Sequence, residues 1–468
     1  MADADALLAE LNAPVRRSFC VLPWIHRFTN LGGEVQLCCT AEDQPGSHLV
    51  TDDGTPIRVG DALGEDAIAN CASLRRVRRA MLAGEWPDAC ARCLAAERAG
   101  SPSRRTHENA LHAADIPRLL AETTADGVAP VRVTSRDYRF GNLCNLRCRM
   151  CHPRASLPLL PEFVAARPGE FSDAELEATR HYAWFRTPGF WDDFRRHCRT
   201  LGHLHFAGGE PLVIPEVARA LDVCIEEGCA SRIVLTFNTN ATKLPRAMLE
   251  RWPHFRGVVL ALSLDGVGAV NDYIRHPARW ATIERNLRVI DDEHARLNVT
   301  AAWVNTTVQV YNLLGLPDLV KYLHAGFRFI HPIPSLAPLT SPEYFDVRIL
   351  PRALKREATR RLTALRAELA GRGTEAPEQI DGILAHLHGR RASPLRCADF
   401  RRVTAAFDRL RGQTLSDVAP ELTPLMAPDG LSATAARFVE QGRNRLGRSA
   451  AVRHVRALVA RSGLPLRS

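Results

Sequence analysis

The stretch GNLCNLRCRMC, residues 141–151, holds three cysteines, Cys144, Cys148 and Cys151, in a Cys-x-x-x-Cys-x-x-Cys pattern. A structural zinc site usually takes four ligands, commonly as two close pairs, and a disulfide framework needs an even number in a secreted chain. Three thiolates without a local fourth fit a 4Fe–4S cluster that leaves one iron open to a small molecule. The alternative is a zinc site completed by a distant residue such as His152.

The composition describes an ordinary globular protein. The chain has 468 residues, of which 46% are hydrophobic and 24% charged, which allows two or three domains. The start, MADADALLAELNAP, has no basic segment followed by an apolar one, and the apolar stretch Val258–Leu264 is too short to cross a bilayer. We therefore expect a cytoplasmic protein with no membrane partner. Its 13 cysteines would then be metal ligands or buried thiols.

Positive charge is concentrated in the C-terminal region. Residues 346–468 hold 23 Arg and Lys against 12 Asp and Glu, a net +11, which leaves −2 for the preceding residues out of the total of +9. Arginine-rich codon usage and solvated helix faces explain this excess, and a basic surface for an acidic peptide is the alternative. No nucleic-acid motif or aromatic-interleaved basic patch is present, so we do not expect a nucleic-acid partner.

Short apolar runs alternate with helix-like segments through the middle of the chain. Pro215 has the position of a first-turn proline, and Ser172 with Glu175 forms a capping box. Such alternation predicts a parallel sheet with crossover helices, and the cysteine triplet directly follows the first strand, where α/β barrels place their chemistry. The predicted strands are Val131–Thr134, Leu201–Phe206, Arg232–Phe237, Val258–Leu264, Asn298–Val304 and Phe327–Ile330.

Three regions differ in character. Residues 1–125 are rich in cysteine and loops, with helices expected around Ser73–Ala83 and Cys90–Ala99. Residues 126–345 carry the strand–helix alternation. Residues 346–468 are arginine-rich and mostly helical, with interruptions near 371–377 and 420–430.

The triplet and a second motif resemble the radical S-adenosylmethionine (SAM) enzymes. After the second predicted strand, AGGEPL supplies Gly208, Gly209 and Glu210, similar to the family's GGE motif, which holds the methionine amino group of SAM. Two glycines allow close backbone approach, and a carboxylate pairs with an ammonium group. The resemblance implies an α/β fold with a partial (β/α)6 barrel. It also implies a 4Fe–4S cluster on the cysteine triplet and SAM as cosubstrate.

Two further segments follow the family's order. TFNTNAT, with Asn238, resembles the turn after the third strand, although Ala241 stands where glycine is usual. SLDGVGAVNDYIR resembles the segment that supplies Ser263 and Arg275 to the methionine carboxylate and the ribose of SAM. The planar fork of arginine suits a carboxylate.

The N-terminal region carries its own cysteines: Cys20 in FCVLPW, Cys38 and Cys39 in GEVQLCC, and Cys90 and Cys93 in CARC. Four thiolates could hold a zinc ion or a second iron–sulfur cluster. Neighbouring side chains of a strand point oppositely, so only one member of the adjacent pair is expected to be a ligand.

The run RAMLAGEWPDACARC resembles a twitch domain, the short form of the SPASM domain, placed here before the barrel. That resemblance implies an auxiliary 4Fe–4S cluster on Cys20, Cys38, Cys90 and Cys93, with Cys71 as an alternative ligand. The remaining cysteines lie in apolar surroundings without partner spacing and are interpreted as small buried thiols. They are Cys198, Cys224, Cys229 and Cys397.

The resemblance implies reductive cleavage of SAM to a 5′-deoxyadenosyl radical, which takes hydrogen from a substrate. An electron donor such as flavodoxin or ferredoxin would supply the electron, and the auxiliary cluster would assist electron transfer. Peptides or protein side chains, as in ribosomal peptide maturation, are the expected substrates, with a small-molecule natural-product intermediate as the alternative. A different class of function is a non-catalytic scaffold with zinc at both cysteine sets.

Overall fold

An eight-stranded sheet organises the chain in the computed structural model. The structure describes residues 13–61, 64–98, 103–167, 172–180, 182–370, 376–389 and 394–427. The strand order is β2-β1-β3-β4-β5-β6-β7-β8, and every neighbouring pair is parallel except β1 with β2. The strands are β1 His26–Thr29, β2 Val35–Gln36, β3 Ser135–Tyr138, β4 His203–Phe206, β5 Val234–Thr239, β6 Gly257–Ser263, β7 Val299–Val308 and β8 Ser335–Pro338.

Helices connect the strands and extend the chain at both ends. Those before β3 are α1 Ala13–Ser18, α2 Leu22–Ile25, α3 Glu65–Ala69, α4 Ala72–Leu82, α5 Ala91–Arg98, α6 Arg104–Leu111 and α7 Ile116–Ala121. Those between β3 and β8 are α8 Leu160–Ala166, α9 Asp173–Arg180, α10 Pro188–Cys198, α11 Pro215–Glu226, α12 Arg246–Leu249, α13 Ala269–Ile274, α14 Trp280–Glu293 and α15 Leu316–Gly326. Those after β8 are α16 Arg352–Leu369, α17 Ala376–His388, α18 Pro394–Arg411, α19 Leu415–Val418 and α20 Thr423–Met426.

The two faces of the sheet differ in burial. Along β5, Leu235 and Phe237 are buried in the core shared with the crossover helices, whereas Thr236 and Asn238 are half-buried on the opposite face. The same alternation runs along β7. The helices therefore cover the apolar outer face, and the inner face is polar and partly open, as in a partial barrel.

The sequence predicted the central strands and the expected α/β class. The runs at 201–206, 232–237, 258–264 and 298–304 correspond to β4, β5, β6 and β7. Helices α4 and α5 confirm the two N-terminal helical predictions over their described residues; Ala99 lies outside the described part of the chain. The Ser172–Glu175 capping box is formed, and Pro215 begins α11 as expected.

The first predicted strand, Val131–Thr134, is wrong. The strand begins at Ser135 instead, and its sequence SRDY is polar on both faces. Ser135 and Asp137 point to the inner face, while Arg136 on the outer face pairs with the Glu65 carboxylate. No apolar alternation marks such a strand, which is why its position was mispredicted.

The last predicted strand, Phe327–Ile330, is also wrong. The backbone N–H groups of Arg328, Phe329 and Ile330 donate to the Asp291 carboxylate of α14 at 2.8–3.1 Å. Since these donors are satisfied by a side chain, the segment makes no strand ladder there, and the sheet continues at β8.

The N-terminal residues contribute directly to the sheet. Strand β1 pairs in parallel with β3 along its whole length, so the sheet continues past the six strands expected of the barrel. A separate core, which includes Phe19, Trp24, Leu74 and Met81, packs the helices of this region.

The C-terminal helices dock onto the cysteine loop. The buried Arg149 guanidinium pairs with the Asp408 carboxylate of α18 at 2.6 Å, and that of Arg411 pairs with Glu162 of α8 at 2.7 Å. Many of the arginines in this region form ion pairs with carboxylates of the same chain. Its arginines in ion pairs include Arg348, Arg360, Arg361, Arg366, Arg396, Arg402 and Arg411.

The predicted interruption near 371–377 falls between α16 and α17, although residues 371–375 lie outside the described part. So do residues 428–468, the end of the arginine-rich region, and residues 1–12. None of the helices in the described ranges combines the length and hydropathy that a membrane span needs.

Candidate active site

The three cysteines of the loop sit where the sequence predicted, just beyond the C-terminal end of the first barrel strand. Cys148 is buried, and Cys144 and Cys151 are half-buried. Two backbone hydrogen bonds fix the loop to the end of α13 and the residues after it, from Arg149 N to Ile274 O at 2.8 Å and from Arg147 N to His276 O at 2.6 Å.

The spacing of these thiols is wider than a single ion needs. Zinc–thiolate bonds of about 2.3 Å put tetrahedral sulfur ligands about 3.8 Å apart. In the described residues, the three sulfurs of the loop do not form a group lying within 4.8 Å of one another, with or without His152. The loop thiols therefore differ from a set of ligands already gathered around one ion.

The same thiols are held in an environment that disfavours free thiolates. Burial, followed by the charge of the neighbouring Cys148, raises the pKa of Cys144 and of Cys151 to about 12. Metal binding displaces such protons and stabilises the thiolates.

The glycine pair of the GGE segment lies directly against the cysteine loop. Gly209 has φ +56°, and a Cβ there would stand 2.2 Å from the Leu143 carbonyl oxygen. Glu210 N donates to that same oxygen at 2.8 Å. Only glycine permits this approach, which joins the loops after β3 and β4.

Glu210 is buried beside this junction. Its carboxylate accepts hydrogen bonds from Asn240 N and Thr239 Oγ1, each at 2.7 Å, and from Leu212 N at 3.2 Å. Burial raises the pKa of Glu210 to about 7, although these hydrogen bonds oppose the shift. Among the described residues, no basic side chain is in ion-pair contact with this buried carboxylate, which therefore fits an ammonium group.

The turn after β5 keeps its special geometry despite the alanine. Ala241 has φ +55°, in the left-handed region that glycine normally fills. The departure from the family pattern is therefore accommodated in the backbone, at a cost of about 1 kcal/mol.

The remaining predicted SAM residues are divided between the inner face and an ion pair. Asn238 and Ser263 lie on the inner face, and Asn238 Oδ1 is 3.1 Å from His205 Nε2. Arg275 Nε is 2.8 Å from the buried Asp265 Oδ2. Since Arg275 carries charge close to the Cys148 thiol, it also borders the cysteine loop.

A polar network that the sequence did not predict lines the inner face. His205 Nδ1 is 3.1 Å from the fully buried Asp137 Oδ2, and the two residues are direct partners across β3 and β4. A second row joins His26, Ser135, His203 and Thr236 through contacts of 2.8–3.2 Å. Alternation along the strands is the only sequence signal for these positions, and the misplaced β3 obscured it.

The N-terminal cysteines meet around one cavity. Cys20, Cys38, Cys90 and Cys93 all line it. Cys39 is not among the lining residues; its sulfur contacts the Arg104 guanidinium instead.

Two arginines also line this cavity, and one further cysteine of the N-terminal region does not. Arg104 and Arg105 line the same cavity, whereas Cys71 is buried immediately before α4 and does not line it. The pKa of Cys38 and that of Cys90 are raised to about 12, mainly by burial. Four thiols with two cationic neighbours fit an anionic metal–thiolate centre.

One group of cysteines was missed. Cys198, Cys224 and Cys229 are buried, as predicted, but their sulfurs also lie within 4.8 Å of one another, which was not predicted. They come from two helices and a turn, so their positions along the chain give no ligand spacing. Cys397 stands apart from them and is half-buried.

A protein-family model described as "Radical SAM superfamily" matches residues 138–317. No curated protein matches the chain. Among solved structures, native anSMEcpe with bound AdoMet and Cp18Cys peptide is similar over 50% of this chain, at 13% identity and a TM-score of 0.31. Streptococcus suis SuiB bound to S-adenosylmethionine is similar over 60%, at 14% identity and a TM-score of 0.33.

The chain spans 59% of the length of the first of these structures and 57% of the second. The family match covers strands β4 to β7, the cysteine loop and the GGE segment. Residues 138–317 are therefore similar to the radical SAM superfamily.

Proposed function

We propose that this chain is a radical SAM enzyme that removes a hydrogen atom from a peptide or protein side chain. The observation that carries the proposal is the contact between Gly209 and Leu143. It joins the cysteine loop to the GGE loop at the edge of the sheet where the polar inner face ends. A metal site, a carboxylate for an ammonium group and an open polar face thus adjoin one another.

In this proposal Cys144, Cys148 and Cys151 hold the 4Fe–4S cluster and leave one iron without a protein ligand. When bound, the cluster and SAM supply the radical that removes the hydrogen atom. Glu210 binds the ammonium group of SAM as a carboxylate, and Thr239 and Asn240 hold that carboxylate in place.

Arg275 and the inner-face residues complete the proposed SAM site. Arg275 is buried and positioned by Asp265, so its remaining guanidinium donors have a fixed direction for a carboxylate or ribose oxygen. Asn238 and Ser263 border the same space from β5 and β6. The buried helices on the outer face exclude water from one side of the sheet.

The shape of the inner face favours an extended substrate. Half-buried positions alternate along β5 and β7, and three of the four residues of β8 are exposed. A side open along the last strand can admit a chain that is longer than the site itself. This opening supports a peptide or protein substrate over a small natural-product intermediate.

We further propose that Cys20, Cys38, Cys90 and Cys93 hold an auxiliary 4Fe–4S cluster, as in a twitch domain. Four protein ligands leave no open iron, so such a cluster carries electrons. Arg104 lines the cavity of these cysteines, and its charge also acts on Asp137 of the inner face. The auxiliary site therefore adjoins the proposed substrate space.

A reduced flavodoxin or ferredoxin is the proposed electron donor, and dithionite can replace it in the test. Anaerobically reconstituted protein is incubated with dithionite, SAM and short peptides encoded beside the gene, or with small-molecule candidates in parallel. We expect 5′-deoxyadenosine together with a mass change in a peptide. A mass change only in a small molecule would overturn the peptide assignment, and no 5′-deoxyadenosine from wild-type protein would overturn the enzyme.

Metal analysis separates the enzyme from the scaffold alternative. Two 4Fe–4S clusters require about eight irons and matching sulfide per chain. Zinc in both cysteine sets, with no iron retained after reconstitution, would instead support a scaffold.

A further inference from the structure

The third cysteine group lies at the opposite end of the sheet from the cysteine loop. Cys198 is the last residue of α10, which leads into β4, and Cys224 and Cys229 lie at the end of α11, which leads into β5. Helices that precede parallel strands end at the N-terminal edge of the sheet. The group is therefore remote from the proposed SAM site, which lies at the C-terminal edge.

The geometry of the group is that of ligands to a single ion. All three side chains have 0% exposure, and their sulfurs all lie within 4.8 Å of one another. Thiolates around one tetrahedral ion stand about 3.8 Å apart, so the sulfurs need only small adjustments to share an ion. The loop cysteines do not meet this criterion.

We propose that Cys198, Cys224 and Cys229 bind one soft, thiophilic metal ion that fastens the end of α10 to the end of α11. This site is separate from the iron–sulfur chemistry. Thiolate ligands select ions such as Zn²⁺ and Cu⁺ over Mg²⁺ or Ca²⁺.

Binding exchanges thiol protons for the ion. The Cys198 and Cys229 thiols lie 3.3 and 3.4 Å from the Arg195 and Cys224 carbonyl oxygens, the acceptors of their protons. A divalent ion and three thiols give one anionic tris-thiolate complex and three protons, which pass to solvent, with no change in oxidation state. The exchange removes these weak S–H hydrogen bonds and those that the three thiols make with one another.

The surroundings carry compensating positive charge. Arg195 pairs with both Glu226 and Glu227, and Arg199 pairs with Glu227. Arg232 lies three residues after Cys229, and its Nη2 donates to the Arg199 carbonyl at 2.7 Å.

Three guanidinium groups against two carboxylates leave one positive charge beside the group. A divalent ion with three thiolates has a charge of −1, whereas Cu⁺ would leave −2. The described residues supply three ligands, and zinc can take a nonprotein fourth.

The test compares metal retention in full-length protein whose iron–sulfur sites have been reconstituted anaerobically. Wild-type protein, C198A/C224A/C229A and the matched control C397A are each incubated with Zn²⁺ or, in a separate arm, Cu⁺. They are then desalted and analysed by mass spectrometry of the elements. We expect wild type and C397A to retain about one more ion per chain than the triple variant. Zinc would identify a divalent site, and copper a monovalent one.

Two additions keep the outcome decisive. If the triple variant is insoluble, the single variant C198A replaces it, and loss of the same ion is expected. C144A/C148A/C151A should keep the ion, which separates this site from the cysteine loop. Equal zinc and equal copper in wild type and variant would overturn the proposal and identify the group as packed thiols. None of these readouts depends on SAM cleavage.

Discussion

Two groups of three cysteines lie at opposite edges of the same sheet, and they differ in almost everything except the number of sulfurs. The loop group of Cys144, Cys148 and Cys151 is widely spaced, partly open and adjacent to Glu210. The group at the other edge is compact and fully buried between two helices. Spacing and surroundings, rather than the count of thiols, distinguish a site for an open cluster from a site for one ion.

The largest expected effect follows from removing the loop group. C144A/C148A/C151A should release no 5′-deoxyadenosine above background, because no other cysteine group in the described residues adjoins Glu210. C397A, which changes a cysteine outside every group, should release it at the wild-type rate. Chromatography of the reaction with dithionite and SAM measures both, and release by the triple variant would contradict the assignment.

Removing two N-terminal cysteines should affect formation of the modified substrate but not cleavage of SAM. C90A/C93A should still cleave SAM, since the loop site is intact, but should form at least about tenfold less modified substrate. Quantifying 5′-deoxyadenosine and product in the same reaction separates the two steps. Equal loss of both would assign a structural role to the cavity lined by these cysteines.

The contact between the two loops can be broken with one methyl group. Gly209→Ala places a Cβ against the Leu143 carbonyl at positive φ, so we expect a loss of about 3 kcal/mol in the free energy of unfolding. Gly228→Ala is the matched control. Gly228 also has positive φ, +65°, but nothing lies within 4 Å of its added Cβ. Its expected cost is about 1 kcal/mol.

Urea unfolding of the two glycine variants measures the difference. A similar loss in both would show that backbone conformation alone, and not the joined loops, makes glycine necessary at position 209. An intact fold with weaker SAM binding in Gly209→Ala would place the effect in the site.

The smallest effect is the pH dependence of SAM binding. The pKa of Glu210 is raised to about 7 by burial, and an ammonium ligand requires the carboxylate form. SAM affinity should therefore fall about tenfold, or 1.4 kcal/mol, for each pH unit below about 7 and level off above it. For the protein without SAM, the quantity that depends on pH is the folding stability, and it changes with pH in the opposite direction. The stabilising effect of protonated Glu210, complete below the unfolded pKa, is lost as pH rises through about 7.

Calorimetric titration of SAM into wild type and Glu210→Gln at several pH values measures this dependence. The variant should bind more weakly above pH 7 and lose the slope that Glu210 contributes. An identical slope in both proteins would assign the proton to another group.

Sequence predicted those parts of the fold in which local pattern and burial agree. Strands β5, β6 and β7 carry apolar side chains on the outer face, so their alternation is visible. Strand β3 carries Arg136 on that face, neutralised by Glu65 from a distant helix, and such a partner is not visible in the local sequence. The segment at 327–330 has the apolar sequence of a strand, but its backbone N–H groups donate to the Asp291 carboxylate instead of to a neighbouring strand.

The candidate site divides in the same way. The cysteine loop and GGE segment were predicted because each is continuous in sequence. Asp137 and His205 meet only through the register of β3 and β4. The compact cysteine group depends on how α10 and α11 pack, so no spacing could indicate it.

The central claim is that the loop cluster, and only that cluster, has an iron open to SAM. Electron paramagnetic resonance of dithionite-reduced protein, recorded with and without SAM, tests it most directly. We predict a signal that changes with SAM in wild type and in C90A/C93A, and that is absent from C144A/C148A/C151A. Spectra that SAM leaves unchanged, or a SAM-sensitive signal that survives removal of the loop cysteines, would contradict it.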